Sequence, residues 1–221
     1  MSTIVALHGI ATTARIWDDV VARLPGRHVL TPERPRTGDL AAELAALSPL
    51  VAGRWVVGMS GGATLGLALA ASRTPIAGAI LHEPAVGSLL PGLLAPIRAA
   101  FDAGGTPALG TALYGERWSQ AMAGDPAGAG ADDTTARELA MFTGFEPAAP
   151  APGQGPVLVT YGACSPPVRR AAAEALADRL GHRIASVPRV GHFAAVEDPA
   201  GFARFVRSVL DGDRPTRPRR A

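Results

Sequence analysis

The chain is poor in several residue types that would have signalled a particular chemistry. Among 221 residues there is one cysteine, Cys164, so neither an internal disulfide nor a thiolate metal cluster can form, which fits a reducing compartment. Lysine and asparagine are absent and all 21 basic residues are arginine; with the abundance of Ala, Gly and Pro this reads as compositional bias without functional meaning. Aromatic residues make up 5% and the arginines of the body are scattered, so the clustered basic face with stacking partners that a nucleic-acid surface needs is missing. The longest apolar run, Gly61 to Ala71, is too short for a bilayer and is interrupted by glycine. Met1 to His8 carries no basic stretch and no cleavage site of a secretory signal. A cytoplasmic protein with no nucleic-acid and no membrane partner is expected.

A hydrophobic content of 48% with 18% charged residues suits a packed globular chain, and the length suits one domain or one domain with an insertion. Four arginines fall in the last eight residues; the 17 that remain stand against 19 acids, leaving the body at −2. Residues 213–221 are therefore expected to form a disordered basic tail.

Short Val- and Ile-rich runs alternate with amphipathic stretches, the pattern of an α/β fold with a mostly parallel sheet. Strands are predicted over Thr3 to Leu7, His28 to Thr31, Trp55 to Val57, Ile76 to Leu81, Val157 to Tyr161 and Ile184 to Val187. Helical stripes lie between them: Trp17, Val20, Val21 and Leu24 behind a Thr12/Thr13 cap, and Leu40, Leu44 and Leu47, ended by Ser48-Pro49. Gly61 to Ser72 is helical. Val168, Ala172, Leu176 and Leu180 form an apolar face whose opposite side carries Arg169, Arg170, Glu174 and Asp178. Asp198-Pro199 caps a last helix with Phe202, Phe205, Val206 and Val209 buried. Residues 85–150 break the rhythm. They read as a helical insertion, with one helix through Leu90, Leu94, Ile97 and Phe101 and weaker ones at Leu113 to Met122 and Thr135 to Phe142, between core segments 1–84 and 151–212.

Gly58-Met59-Ser60-Gly61-Gly62 follows a strand and opens a helix, which is the context a GxSxG nucleophile elbow requires. A sharp turn there demands a strained serine with no Cβ on its flanking neighbours. A phosphate cradle is the alternative, but neither GK[ST] nor GxGxxG spacing is present. His8-Gly9-Ile10 ends the first strand. The N–H groups of Ile10 and Gly61 are candidate oxyanion donors, whereas the His8 side chain is read as packing its loop. His192, in Gly191-His192-Phe193 past the last strand, reaches the same edge if the strands are parallel and is the candidate general base. His28 and His182 begin strands at the wrong end, and His82 lies inside a strand terminus.

In this order HGI, GMSGG, LHEP, YGACSPP and VGHF resemble the α/β-hydrolase superfamily, in particular small bacterial esterase-like members with a lid between the fourth and fifth strands found here. The resemblance covers residues 3 to about 210. It implies a parallel sheet of about six strands flanked by helices, N-terminally truncated relative to the usual eight, with a Ser-His-acid triad and an oxyanion hole. Ser60 and His192 match directly. The turn that usually carries the acid reads Gly162-Ala163-Cys164-Ser165, without a carboxylate. Some relatives draw the acid from the end of the preceding core strand, which nominates Glu83; a Ser-His dyad is the alternative. The missing strands suggest a homodimer that pairs across the shortened side.

The expected activity is hydrolysis of small neutral carboxylic esters, thioesters or lactones through an acyl-enzyme on Ser60, with no metal or organic cofactor. Leu90, Leu93, Leu94, Ile97, Trp118 and Phe142 of the insertion would line an apolar pocket for the small-molecule substrate. The alternatives are a non-hydrolytic ligand-binding protein, motivated by Cys164 at the acid turn, and a C–C hydrolase or acyltransferase using the same residues.

Overall fold

The computed structural model describes residues 3–124 and 130–212. Six strands, β1 (Ile4–Leu7), β2 (Val29–Leu30), β3 (Trp55–Met59), β4 (Gly78–His82), β5 (Val157–Gly162) and β6 (Arg183–Val187), form one sheet in the order β2-β1-β3-β4-β5-β6. Every pairing is parallel. The sheet is thus wound outward in both directions from β1, and a crevice opens where the chain reverses, beyond the C-terminal ends of β1 and β3. Both HGI and the serine turn lie at those ends.

Parallel strands covered on both faces must be apolar at nearly every position, and β1, β4 and β5 are buried throughout. The helix between β3 and β4, α3 (Gly61–Ala71), is buried along all but its last residue and carries no charged side chain. A helix without a polar face belongs in the core, where Leu65, Leu67 and Leu69 each contribute roughly 1.5–3 kcal/mol of burial. The last helix, Pro199–Leu210, starts as its sequence suggests: the Asp198 carboxylate accepts from the Gly201 N–H at 2.8 Å. The β2 edge offers two residues for any strand pairing.

Several helices differ from their predicted extents. The stripe from Trp17 to Leu24 is divided into a 3-10 turn, Ala14–Trp17, and a short α1 (Asp18–Val21). Thr13 makes no capping bond, and Thr12 instead donates to the Gly9 carbonyl at 3.0 Å. Helix α2 (Leu40–Val51) runs two residues past Pro49, a proline in its last turn that forfeits one backbone hydrogen bond.

In the 85–150 segment, Leu90 precedes the first long helix, α4 (Ala95–Tyr114), which kinks at Gly104–Gly105. The helix restarts at Thr106, whose N–H donates to the Asp132 carboxylate at 2.8 Å. The stretch to Met122 ends α4 and continues as the 3-10 turns Gly115–Arg117 and Gln120–Ala123, and α5 spans Ala131–Thr143. The predicted tail, 213–221, lies outside the described residues. Among the described residues no helix is long and apolar enough to cross a membrane.

Under the first loop lies a buried ionic cluster that no sequence pattern announces. Arg34, with its side chain fully buried, pairs with Glu43 and Glu138, both equally buried, and Arg36 pairs with Glu138 at 2.9 Å. Arg34 also donates to the His8 and Gly9 carbonyls at 3.0 and 3.1 Å, so one guanidinium ties the loop after β1 to α2 and α5. The guanidinium charges outweigh the burial that would raise the Glu138 carboxyl, holding it below its ordinary range. Removing one partner leaves an uncompensated buried charge. Glu138→Ala is expected to lower the unfolding free energy by about 3–5 kcal/mol, read as a lower urea midpoint; an unchanged midpoint would refute this account of the cluster.

Candidate active site

Ser60 stands between β3 and α3 with φ 55° and ψ −121°, outside the regions that L-residues usually occupy. The glycines of the turn exist for close approach. A Cβ on Gly58 would lie 2.5 Å from the Gly62 carbonyl oxygen, and one on Gly62 would lie 2.1 Å from that of Leu7. The strain is held by backbone bonds from Ser60 N–H to the His82 carbonyl (2.9 Å) and from Thr64 N–H to the Ser60 carbonyl (3.0 Å).

The structure brings Ser60, His192 and Glu83 together. Ser60 Oγ lies 3.0 Å from His192 Nε2, and His192 Nδ1 lies 2.7 Å from Glu83 Oε2. Because a carboxylate only accepts, Nδ1 carries the proton and Nε2 is free to accept from the serine. Glu83 is itself fixed: its Oε1 accepts from Gly162 N–H at 2.8 Å and from the Ser165 hydroxyl. The turn after β5 therefore holds the carboxylate that it does not itself provide. Cys164 is exposed.

Burial would raise the Glu83 carboxyl, but the His192 hydrogen bond and neighbouring positive charge outweigh it and keep the group well below the usual carboxylate range. Burial, reinforced by the Arg169 guanidinium, pushes His192 down to about 4, although Glu83 pulls the other way. The imidazole is neutral at pH 7, as a proton acceptor must be.

The loop bearing His192 is pinned on both sides. Gly191 and Phe193 N–H both donate to Glu197, and His82 Nε2 donates to the Gly191 carbonyl at 2.9 Å. With His82 Nδ1 accepting from the Thr160 hydroxyl at 3.0 Å, both of its ring nitrogens are used in a neutral tautomer. Tyr114 stacks on the His192 ring at 5.6 Å, and its hydroxyl donates to the Ile10 carbonyl at 2.8 Å.

The N–H groups of Ile10 and Gly61 have no acceptor among the described residues. Their backbones are neighbours, since a Cβ on Gly61 would lie 3.2 Å from Ile10 N. Both residues border the space beside Ser60, and Gly61 opens α3, where helix-end amides are unpaired. Donors placed in this way can receive negative charge that develops on a carbonyl oxygen.

That space is about 20 Å³, room for a single water, and is walled by Ile10, Leu94, Ile97, Leu113 and Phe142 together with Arg169. A second cavity, of about 200 Å³, lies beyond Leu94 and Phe142, which border both, and is lined by Leu90 and Leu93. Of the predicted lining residues, Leu94, Ile97 and Phe142 border the serine, whereas Leu90 and Leu93 border only the outer cavity. Trp118 borders neither. Its indole N–H donates to the Ala11 carbonyl at 2.8 Å and its ring covers Gly110, so it fastens the 85–150 segment to the strained loop at Ala11 (φ 52°).

Arg169 corrects a second expectation. Read as part of the solvent face of α6 (Pro167–Leu180), it turns inward, its side chain 10% exposed, while Val168 is the exposed residue. Beyond the first turn the apolar stripe is buried as expected, at Ala172 and Leu176; only in the first turn does Arg169 take the inward place of Val168, because that turn ends against Glu83 and admits a cation there. The signal was available: a first-turn residue of a helix that follows a parallel strand sits at the catalytic edge of the sheet.

A family model described as the Alpha/beta hydrolase family matches residues 4–205. Among solved structures, the enol-lactonase from Burkholderia xenovorans superposes with a TM-score of 0.65 at 23% identity, covering 95% of this chain and 91% of its own. MenH from S. aureus superposes at 0.72 with 16% identity, covering 96% and 94%. A thermophilic esterase from Thermogutta terrifontis superposes at 0.67 with 18% identity, covering 96% and 90%. At these identities the likeness is one of fold. No curated protein matches significantly.

Proposed function

Because this chain belongs to the alpha/beta hydrolase family, we propose that it is a serine hydrolase of small carboxylic esters, thioesters or lactones, acting through an acyl-enzyme on Ser60. The observation that carries this reading is the hydrogen-bonded series Ser60–His192–Glu83, at 3.0 and 2.7 Å, standing beside two unpaired backbone N–H groups.

Ser60 Oγ attacks the carbonyl carbon as its proton passes to His192 Nε2. The tetrahedral oxyanion accepts from the Ile10 and Gly61 N–H groups. The imidazolium, stabilised by Glu83, returns the proton to the leaving oxygen or sulfur as that bond breaks. Water, deprotonated by His192, then releases the carboxylic acid and restores the serine. The chain of the substrate occupies the outer cavity once Leu94 and Phe142 move aside. The 162–165 turn was the reason to consider a non-hydrolytic binding protein, and the contact of Glu83 with His192 favours the hydrolase over it.

A fluorophosphonate probe is expected to label Ser60 stoichiometrically, and p-nitrophenyl esters of increasing chain length are expected to release p-nitrophenol. A protein that neither labels nor turns over would refute the reading. Product analysis in the presence of an added alcohol separates hydrolysis from acyl transfer.

The pH dependence follows from the buried base. Protonated His192 cannot accept the serine proton, so kcat/KM for a neutral ester is expected to be flat from neutrality down to about pH 5 and to fall tenfold per unit below about 4. An acid limb near 6.5, the ordinary histidine value, would show that burial and Arg169 do not act on the base as described.

A further inference from the structure

We propose that Arg169 is a carboxylate-binding residue of the Ser60 chamber, and that the esters or lactones cleaved there carry a second, ionised carboxyl group on their acyl part. The proposal rests on the hydrolase reading for the scissile bond and names its substrate class, in place of the neutral acyl group that the apolar insertion suggests.

Arg169 is the one cation bordering the chamber among the described residues. Its contact to Glu83 is made through Nε at 3.5 Å, longer than an N–H···O hydrogen bond. The oxygens of Glu83 are already taken by His192 Nδ1, Gly162 N–H and the Ser165 hydroxyl. The two terminal guanidinium nitrogens have no acceptor among the described residues. Four N–H bonds of a mostly buried fork are therefore uncommitted, and a planar carboxylate is the group that such a fork receives bidentately. Burying a cation whose counter-ion is shared in this way is costly, and a second anion offsets that cost. Nothing else on the wall competes for it. Besides Ser60 and Glu83, whose oxygens are engaged with His192 and the 162–165 turn, the lining is apolar apart from Thr64, whose hydroxyl donates to the Ser60 carbonyl and accepts from Ala85 N–H. Arg169 also lies in the first turn of the 14-residue α6, whose macrodipole adds potential of the same sign.

Hydrolysis of such a substrate consumes one water, breaks the acyl C–O bond at the ester and leaves the distal carboxylate unchanged, so the product is a dicarboxylate. The test compares monoethyl glutarate with ethyl pentanoate, followed by pH-stat titration in the whole protein. The wild type is expected to favour the half-ester by about tenfold to a hundredfold in kcat/KM. In Arg169→Met the preference is expected to vanish or reverse while fluorophosphonate still labels Ser60; Arg169→Lys is expected to keep part of it. The ratio removes any common effect that acts through Glu83. No preference in the wild type, a preference that survives Arg169→Met, or equal losses on both esters would overturn the proposal and leave the hydrolase reading standing. Calorimetry with glutarate on Ser60→Ala, against Ser60→Ala/Arg169→Met, is independent of turnover. Binding lost with the arginine supports the subsite even if no ester is cleaved, and no binding to Ser60→Ala counts against it.

Discussion

Ser60→Ala is expected to lower kcat on any cleaved ester by on the order of 10⁶-fold and to abolish fluorophosphonate labelling. The size follows from what is removed. Without Oγ there is no acyl-enzyme, and His192 retains an acceptor nitrogen with nothing to deprotonate except water in a space of about 20 Å³. The unpaired N–H groups of Ile10 and Gly61 remain, so on the proposed mechanism turnover should stay above the uncatalysed rate by the amount that electrostatic stabilisation and binding supply. Stability should change little. The strain at φ 55° belongs to the backbone turn, and alanine adopts it with a smaller side chain in the same place. A loss of less than about a hundredfold, measured as burst-free steady-state turnover on a p-nitrophenyl ester, would mean that another group is the nucleophile.

Glu83→Gln is expected to lower kcat by on the order of 10⁴-fold, about 5.5 kcal/mol of barrier, with KM nearly unchanged. The groups that hydrogen-bond Glu83 are all donors, His192 Nδ1, Gly162 N–H and the Ser165 hydroxyl, and the Arg169 guanidinium and His82 Nε2 lie further off at 3.5 and 3.9 Å. An amide brings its own N–H₂ into that ring of donors. If it faces His192, the proton moves to Nε2, and the imidazole can no longer accept from Ser60. The charge that stabilises the imidazolium is lost as well. Arg169 would be left buried without its counter-ion, so some loss of stability is expected, and Glu83→Asp separates the two effects. The shorter carboxylate keeps the charge beside Arg169 but withdraws from His192, so it should unfold near the wild-type midpoint and still lose most of kcat. Equal turnover of Glu83→Gln and the wild type would reject Glu83 as the residue that orients the base and favour a Ser-His dyad.

Much of this site follows from local constraint. Gly58, Ser60 and Gly62 are a turn signature because any side chain at the two glycines would overlap backbone less than 3 Å away. His192 was separable from His28 and His182 by its place after a strand, since parallel strands deliver all their C-terminal loops to one edge, whereas His8 and His82 stand at that edge too and were set aside as packing a loop and as lying inside a strand terminus. The central strands β1, β3, β4 and β5 announced themselves as short apolar runs because burial on both faces leaves little room for polar residues. These are short-range requirements, which sequence order expresses directly.

Placement of the buried charges was decided only by the assembled chain. Arg169 is adjacent in sequence to Arg170, yet one lines the chamber and the other pairs with Glu174 on the surface, since the phase of a helix at its first turn is set by what the turn docks against. Trp118 has the composition of a pocket lining and is spent on the Ala11 carbonyl instead, because a buried indole N–H needs an acceptor and the nearest lies 107 residues earlier. Arg34, Glu43 and Glu138 find one another across 104 residues. By itself the sequence determined the order of the elements, the serine turn and the histidine loop. Which charged groups were to be buried, and against which partners, was decided by tertiary packing, because the cost of burying a charge depends on neighbours that no local pattern encodes.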